Sequence, residues 1–214
     1  KITYFWYADL LSRKPKERMA ALKPIIKLTE EELKRSVPVE QAVGEAIKQL
    51  SAREADVLQR RAGLRDGSTE TLAQIGEEFS VTRERVRQIG NQARKKLQSQ
   101  LEKAPLSDLV RLALSLVRDH GGAMSEESMY ETFLPASQRT ATGTRAVALL
   151  LELSPDVDLL AGEKKYRPTY VISAAHGRAV RQIAPIVKQA LTDNKGTLPV
   201  EKLFAAVKAS DDSE

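Results

Sequence analysis

The chain has no cysteine. Disulfides and thiolate metal sites are therefore excluded, and the composition fits a reducing compartment. Only two histidines occur, His120 and His176. They lie far apart in the sequence, and neither has a partner at the spacing of a metal site or of a nucleophile and its base. Aromatic residues make up 5% of the chain, with a single tryptophan. No apolar run reaches the roughly eighteen residues that a membrane-spanning helix needs, and no signal-peptide pattern is present. No glycine-rich loop follows a strand-like segment, so a phosphate cradle is not expected. These absences predict a protein that is not an enzyme and carries no cofactor and no metal. The numbering opens on Lys1 rather than methionine, as expected of a portion of a longer protein.

What is present is charge, unevenly placed. Lys+Arg number 34 against 29 Asp+Glu, a net +5. Residues 1–50 carry 10 basic against 7 acidic side chains (+3), residues 51–98 again 10 against 7 (+3), and residues 99–214 carry 14 against 15 (−1). Affinity for nucleic acid rests largely on neutralising phosphates. The electrostatic case for DNA binding therefore lies in the first half. A length of 214 residues predicts two or three small domains.

The most informative stretch is Thr71 to Gln98. Ile75 and Phe79 are spaced i, i+4, and Val86 and Ile89 i, i+3, with Val81 between the pairs. That is the pattern of two short helices closing on one apolar junction. Gly76 is expected where the helices cross closely. Thr71 and Gln74 have capping-box spacing. Thr82 is a suitable N-cap for the second helix, with Glu84 near its positive end. A helix entering the major groove presents its N-terminal residues to base edges; here these are Arg83, Glu84, Arg87 and Gln88. Arginine suits guanine, glutamine adenine, and glutamate can accept from cytosine. Arg94, Lys95 and Lys96 at the far end suit phosphate contacts.

Ser51-Ala-Arg-Glu-Ala-Asp-Val-Leu58, Gly63-Leu-Arg-Asp-Gly67 and Val81-Thr-Arg-Glu-Arg-Val-Arg-Gln-Ile89 together resemble region 4 of sigma-70 family transcription factors, over about residues 46–98. The resemblance implies recognition of a −35 promoter element and docking on the flap of the RNA polymerase β subunit. It also implies a bacterial, cytoplasmic, nucleoid-associated protein. It assigns base reading to Arg83, Glu84 and Gln88, and backbone positioning to Arg53, Arg61, Leu72 and Thr82; the helix itself adds Arg87 at the base edges and Arg85, Arg94 and Lys95 on the backbone. Two positions depart from the family pattern: Gly90 replaces a usual glutamate, and Gln92 a usual lysine. A glycine inside a helix costs about 1 kcal/mol relative to alanine.

Residues 1–45 read as an N-terminal helical segment. Thr29 to Glu32 forms a capping box, Pro24 and Pro38 break the segment, and Val39 to Leu50 continues as a helix. Tyr4 to Tyr7 is an aromatic cluster best read as a packing or interface group. After an expected linker at 99–105, residues 106–174 give helix, Gly121-Gly122 turn, short helix and a third helix over Ser137 to Leu153. Val157 to Leu160 and Tyr166 to Ser173 then form a hairpin turning at Ala161 to Glu163. That order is a winged helix-turn-helix, and the unit resembles HARE-type winged helices. Its reading helix offers Gln138, Arg139, Thr142, Thr144 and Arg145, and its wing Lys164, Lys165 and Arg167. Residues 176–214 repeat the opening of such a unit, with Ile183 to Val207 as helix, Gly196 turn and helix.

The predicted fold is thus mainly α: a helix-turn-helix, a winged helix with a small β-hairpin, and a partial second repeat. Three functions fit it. One is a transcription component that reads a promoter element on double-stranded DNA and docks on polymerase. The second is a DNA-binding regulator independent of polymerase. The third is a protein-interaction module or the DNA-targeting arm of a larger protein.

Overall fold

The computed structural model describes residues 38–163 and 166–211. Within them the chain is mainly helical with one small sheet. The first four helices are α1 (Val39–Ile47), α2 (Ala52–Ala62), α3 (Leu72–Glu78) and α4 (Arg83–Gln98). Each start after α1 is fixed by a side-chain cap. Ser51 and Glu54 form a capping box on α2, Thr71 and Gln74 form one on α3, and Thr82 caps α4 by accepting from the Arg85 amide at 3.2 Å. These caps satisfy amides that the first helical turn leaves without partners.

Two cores meet along α4. Its N-terminal half buries Val86 and Ile89 with Val57 of α2 and Ile75 of α3; Leu72, Phe79 and Val81 pack on this cluster. The predicted junction of Ile75, Phe79, Val81, Val86 and Ile89 is thereby observed, with Val57 added. Gly76 is needed for a different contact from the one expected. A Cβ there would sit 2.7 Å from the Val81 carbonyl oxygen, so the turn closes on it rather than the crossing helix. The C-terminal half of α4 buries Ala93 and Leu97 in a larger core, shared with Val39, Val43 and Ile47 of α1 and Leu58 of α2.

That larger core continues through the second half. There α5 (Leu106–Asp119), β1 (Ala123–Ser125), α6 (Glu126–Phe133), α7 (Ala141–Leu153), β2 (Asp158–Leu160) and β3 (Thr169–Val171) follow in winged-helix order. The strands form an antiparallel sheet in the order β1-β3-β2, pairing Met124 with Tyr170 and Leu159 with Tyr170. Strand β1 falls where only a glycine turn was expected. The hairpin tip lies at the Glu163–Tyr166 bridge, beyond the expected turn at 161–163. The third helix starts at Ala141, four residues later than expected. A 3-10 turn at Ala136–Gln138 precedes it and Thr140 caps it. The 99–105 stretch, expected as a linker, is a run of turns that carries Leu101 into the shared core.

Two further helices follow, α8 (Ala174–Asp193) and α9 (Val200–Asp211), packed on each other across a turn at Gly196. Ser173 caps α8, so this helix opens well before Ile183, where the expected repeat begins. Gly177 is the one residue of α8 that is fully buried. The aromatic cluster at Tyr4 to Tyr7, the Thr29 capping box and wing residues Lys164 and Lys165 lie outside the described residues.

Candidate nucleic-acid interface

The N-terminal half of α4 turns its apolar side chains into the helix-turn-helix core and leaves Arg83, Glu84, Arg85, Arg87 and Gln88 exposed. Four of these form one surface network. Arg87 donates through Nε to Glu84 Oε2 at 2.8 Å and through Nη2 to Oε1 at 2.7 Å. Gln88 donates to Glu84 Oε1 at 3.3 Å, and Arg85 donates to Gln88 Oε1 at 3.3 Å. The Arg87 guanidinium holds the Glu84 carboxyl below the usual carboxylate range, and Glu84 in turn raises Arg87. Arg83 has no side-chain partner among the described residues. It is the unengaged guanidinium at the helix's leading end, whereas Arg87 has its Nε and one Nη2 donor on Glu84 and would have to leave Glu84 to present that fork to a base.

The expected backbone-positioning residues divide into two groups. Arg53 is exposed and lies over the Phe79 ring at 5.3 Å from its centroid, and Arg60 lies over the same ring at 5.6 Å. Arg61 donates to the Glu70 carbonyl at 2.5 Å and keeps further N–H donors. The Thr82 hydroxyl accepts the cap bond and retains its own hydrogen. Leu72 packs its side chain on the helix-turn-helix core at the first turn of α3. Lys95 is exposed without a side-chain partner among the described residues.

Arg94 donates through Nη1 to Glu152 of α7 at 2.5 Å and keeps its other N–H donors. Lys96 pairs with Glu54 at 2.8 Å. Of the three cations at the end of α4, Lys95 is the one with no side-chain partner among the described residues. In the wing, Arg167 pairs with Glu127 of α6.

Two residues that sequence reasoning passed over hold the frame. Arg60 is buried and donates to Glu70 at 2.8 and 2.6 Å and to Glu78 at 2.5 Å, tying α2 to α3. A polar residue at a core position of α2 was the available signal. Glu54 is buried between Lys96 and the Ser51 cap, whose hydrogen bonds bring its carboxyl down to about 2. Among the described residues no helix is long and apolar enough to cross a membrane, and no cluster of three or more metal-ligating side chains occurs.

A capped helix-turn-helix with an exposed arginine-rich second helix defines the class. Residues 46–99 match the family described as Sigma-70, region 4, and this part of the chain is a sigma-70 region 4 domain. Similar proteins include RNA polymerase sigma factor SigA of Nostoc sp. (strain PCC 7120 / SAG 25.82 / UTEX 2576). It is 48% identical over 62 residues, covering 29% of this chain and 16% of the relative. SigA of Lactococcus lactis subsp. cremoris is 46% identical over 66 residues, 31% of this chain and 18% of the relative. The match thus spans less than a fifth of the length of these relatives.

Proposed function

We propose that the chain is a DNA-binding transcription component whose region 4 domain reads a −35-like promoter element in the major groove through α4. It engages RNA polymerase core through the flap of the β subunit, in the bacterial cytoplasm. The observation that carries this reading is the split character of α4. Val86 and Ile89 anchor it in a rigid core while Arg83, Glu84, Arg87 and Gln88 stand exposed on its leading half.

Reading starts from Arg83, which needs no bond broken. Arg87 follows by trading its forked contact with Glu84 for guanine O6 and N7, which frees Glu84 to accept from a cytosine amine. Gln88 serves adenine. Arg53, Arg61, Leu72 through its backbone amide, Thr82, Arg85 and Lys95 fix the register on phosphates. Arg94 joins them through the N–H donors that its contact with Glu152 leaves over.

Selection of bound sequences from random duplexes, with and without core polymerase, tests this. An enriched motif that sharpens with polymerase is expected. The second reading, a regulator that needs no polymerase, is favoured by the short span shared with the SigA relatives. It predicts the same motif with and without polymerase and no copurification. Enrichment of no sequence in either arm would refute both.

A further inference from the structure

Helix α7 stands where a winged helix carries its reading helix, yet its side chains are used up on protein. Seven of its thirteen residues are buried: Gly143, Ala146, Val147, Leu149, Leu150, Leu151 and Leu153. A helix apolar around most of its circumference belongs inside a protein, whereas a helix in a DNA groove needs an open polar face. The polar groups of α7 point to the same conclusion. Its two charged residues, Arg145 and Glu152, face the region 4 domain: Arg145 donates to the Gly67 carbonyl at 3.1 Å, and Glu152 takes Arg94 at 2.5 Å. Thr140 and Thr142 both donate to Glu40 of α1. Gln98 of α4 donates to the Leu153 carbonyl at 3.1 Å.

The apolar contact between the two is equally close. Leu149, Leu150 and Leu153 line the same small gap as Val43 and Ala46 of α1 and Leu97 of α4. At the other end of α7, a Cβ on Gly67 would come within 2.5 Å of the Ala141 methyl, so that loop approaches α7 as closely as glycine allows. The face built from α1 together with α2 and α4 of region 4 is therefore a groove with a helix in it, and the helix belongs to the same chain.

We propose that α7 is a built-in occupant of this groove, closing it to any other helix and withdrawing the winged unit from DNA. The inference stands apart from which DNA sequence α4 reads. Tethering gives α7 an effective concentration of order millimolar, so an identical helix offered in trans at micromolar concentration is excluded until α7 is dislodged.

The absence of cysteine makes the test direct. In the full chain, spin labels at Lys48→Cys and Asp156→Cys report docking, and a fluorescent peptide of residues 139–154 is the probe. Two variants dislodge α7 from its own side. Glu152→Lys with Arg145→Asp reverses both rim contacts at exposed side chains without changing net charge. Leu150→Glu places a carboxylate in the groove contact. The wild type is expected to give one narrow label distance and to exclude the peptide. Either variant is expected to broaden the distance and take up the peptide at least about tenfold more tightly. Peptide binding as tight to the wild type, broadening without peptide uptake, or failure of both variants to broaden the distance would each overturn the proposal. DNA binding is followed in the same samples. Its loss in the wild type counts against the reading of α4 and leaves the groove result unaffected.

Discussion

Two glycines fourteen residues apart in one motif should respond to alanine with opposite signs. Gly90 lies inside α4, where glycine costs about 1 kcal/mol relative to alanine. An alanine methyl there would meet Val57 Cγ1 at 3.7 Å, an ordinary contact, at a backbone conformation open to any residue. Gly90→Ala should therefore return close to the full propensity difference, about 1 kcal/mol. For a chain of this size that corresponds to a rise in Tm of about 2–4 °C. Gly76 also lies in a helix, and alanine would gain a similar propensity term. Its methyl, however, would sit 2.7 Å from the Val81 carbonyl, whose residue also donates its amide to the Gly76 carbonyl at 2.9 Å. Backbone on both sides of the turn has nowhere to retreat. Overpacking of this kind costs about 1–3 kcal/mol, so the net change is a loss of up to about 2 kcal/mol. Thermal and urea melts of the two variants give the answer. A destabilised Gly90→Ala, or a Gly76→Ala variant more stable than wild type, would refute the reasoning about where α4 has space and where the turn does not.

Other outcomes follow from the same contacts. Arg83→Ala and Gln88→Ala should each weaken specific binding by about 1–3 kcal/mol and relax preference at one base pair. In competition titrations, an equal loss on random DNA would contradict base reading. Lys95→Ala or Arg94→Ala should weaken binding to all duplexes and flatten the salt dependence, and Arg94→Ala should also loosen α7, whose Glu152 it holds. The Glu54 carboxyl, brought down to about 2 by Lys96 and the Ser51 cap, stabilises the fold fully above its ordinary range near pH 4.3. That contribution is lost as pH falls from there through about 2. Glu54→Gln should remove the corresponding part of the acid sensitivity in melts recorded across that window, and an unchanged pH profile would show that the carboxylate is not held this way.

What the sequence revealed depended on how each feature is encoded. The helix-turn-helix was legible because its caps and apolar spacing are local: Thr71 with Gln74, Thr82, and the Ile75–Ile89 series each declare themselves within a few residues. Strand β1 was not, because Ala123–Ser125 is too short for any alternation to register. The start of α7 was misplaced because Thr140, the true cap, follows a 3-10 turn that reads as helix. The Arg94–Glu152 pair was hidden for a different reason. A cation on an exposed-looking helix face gives no sign that a glutamate fifty-eight positions away will pair with it. The same holds for α1 and α7, whose apolar faces were visible but whose pairing depends on how the two halves close on each other.

DNA should be read by α4 while α7 is kept from it. A photocrosslinking residue placed in the full chain at Asn91 on α4, and separately at Thr144 on α7, tests it with duplexes recovered from the selection. Crosslinks to DNA from Asn91 alone are the predicted result. Crosslinks from Thr144 of comparable yield would contradict it.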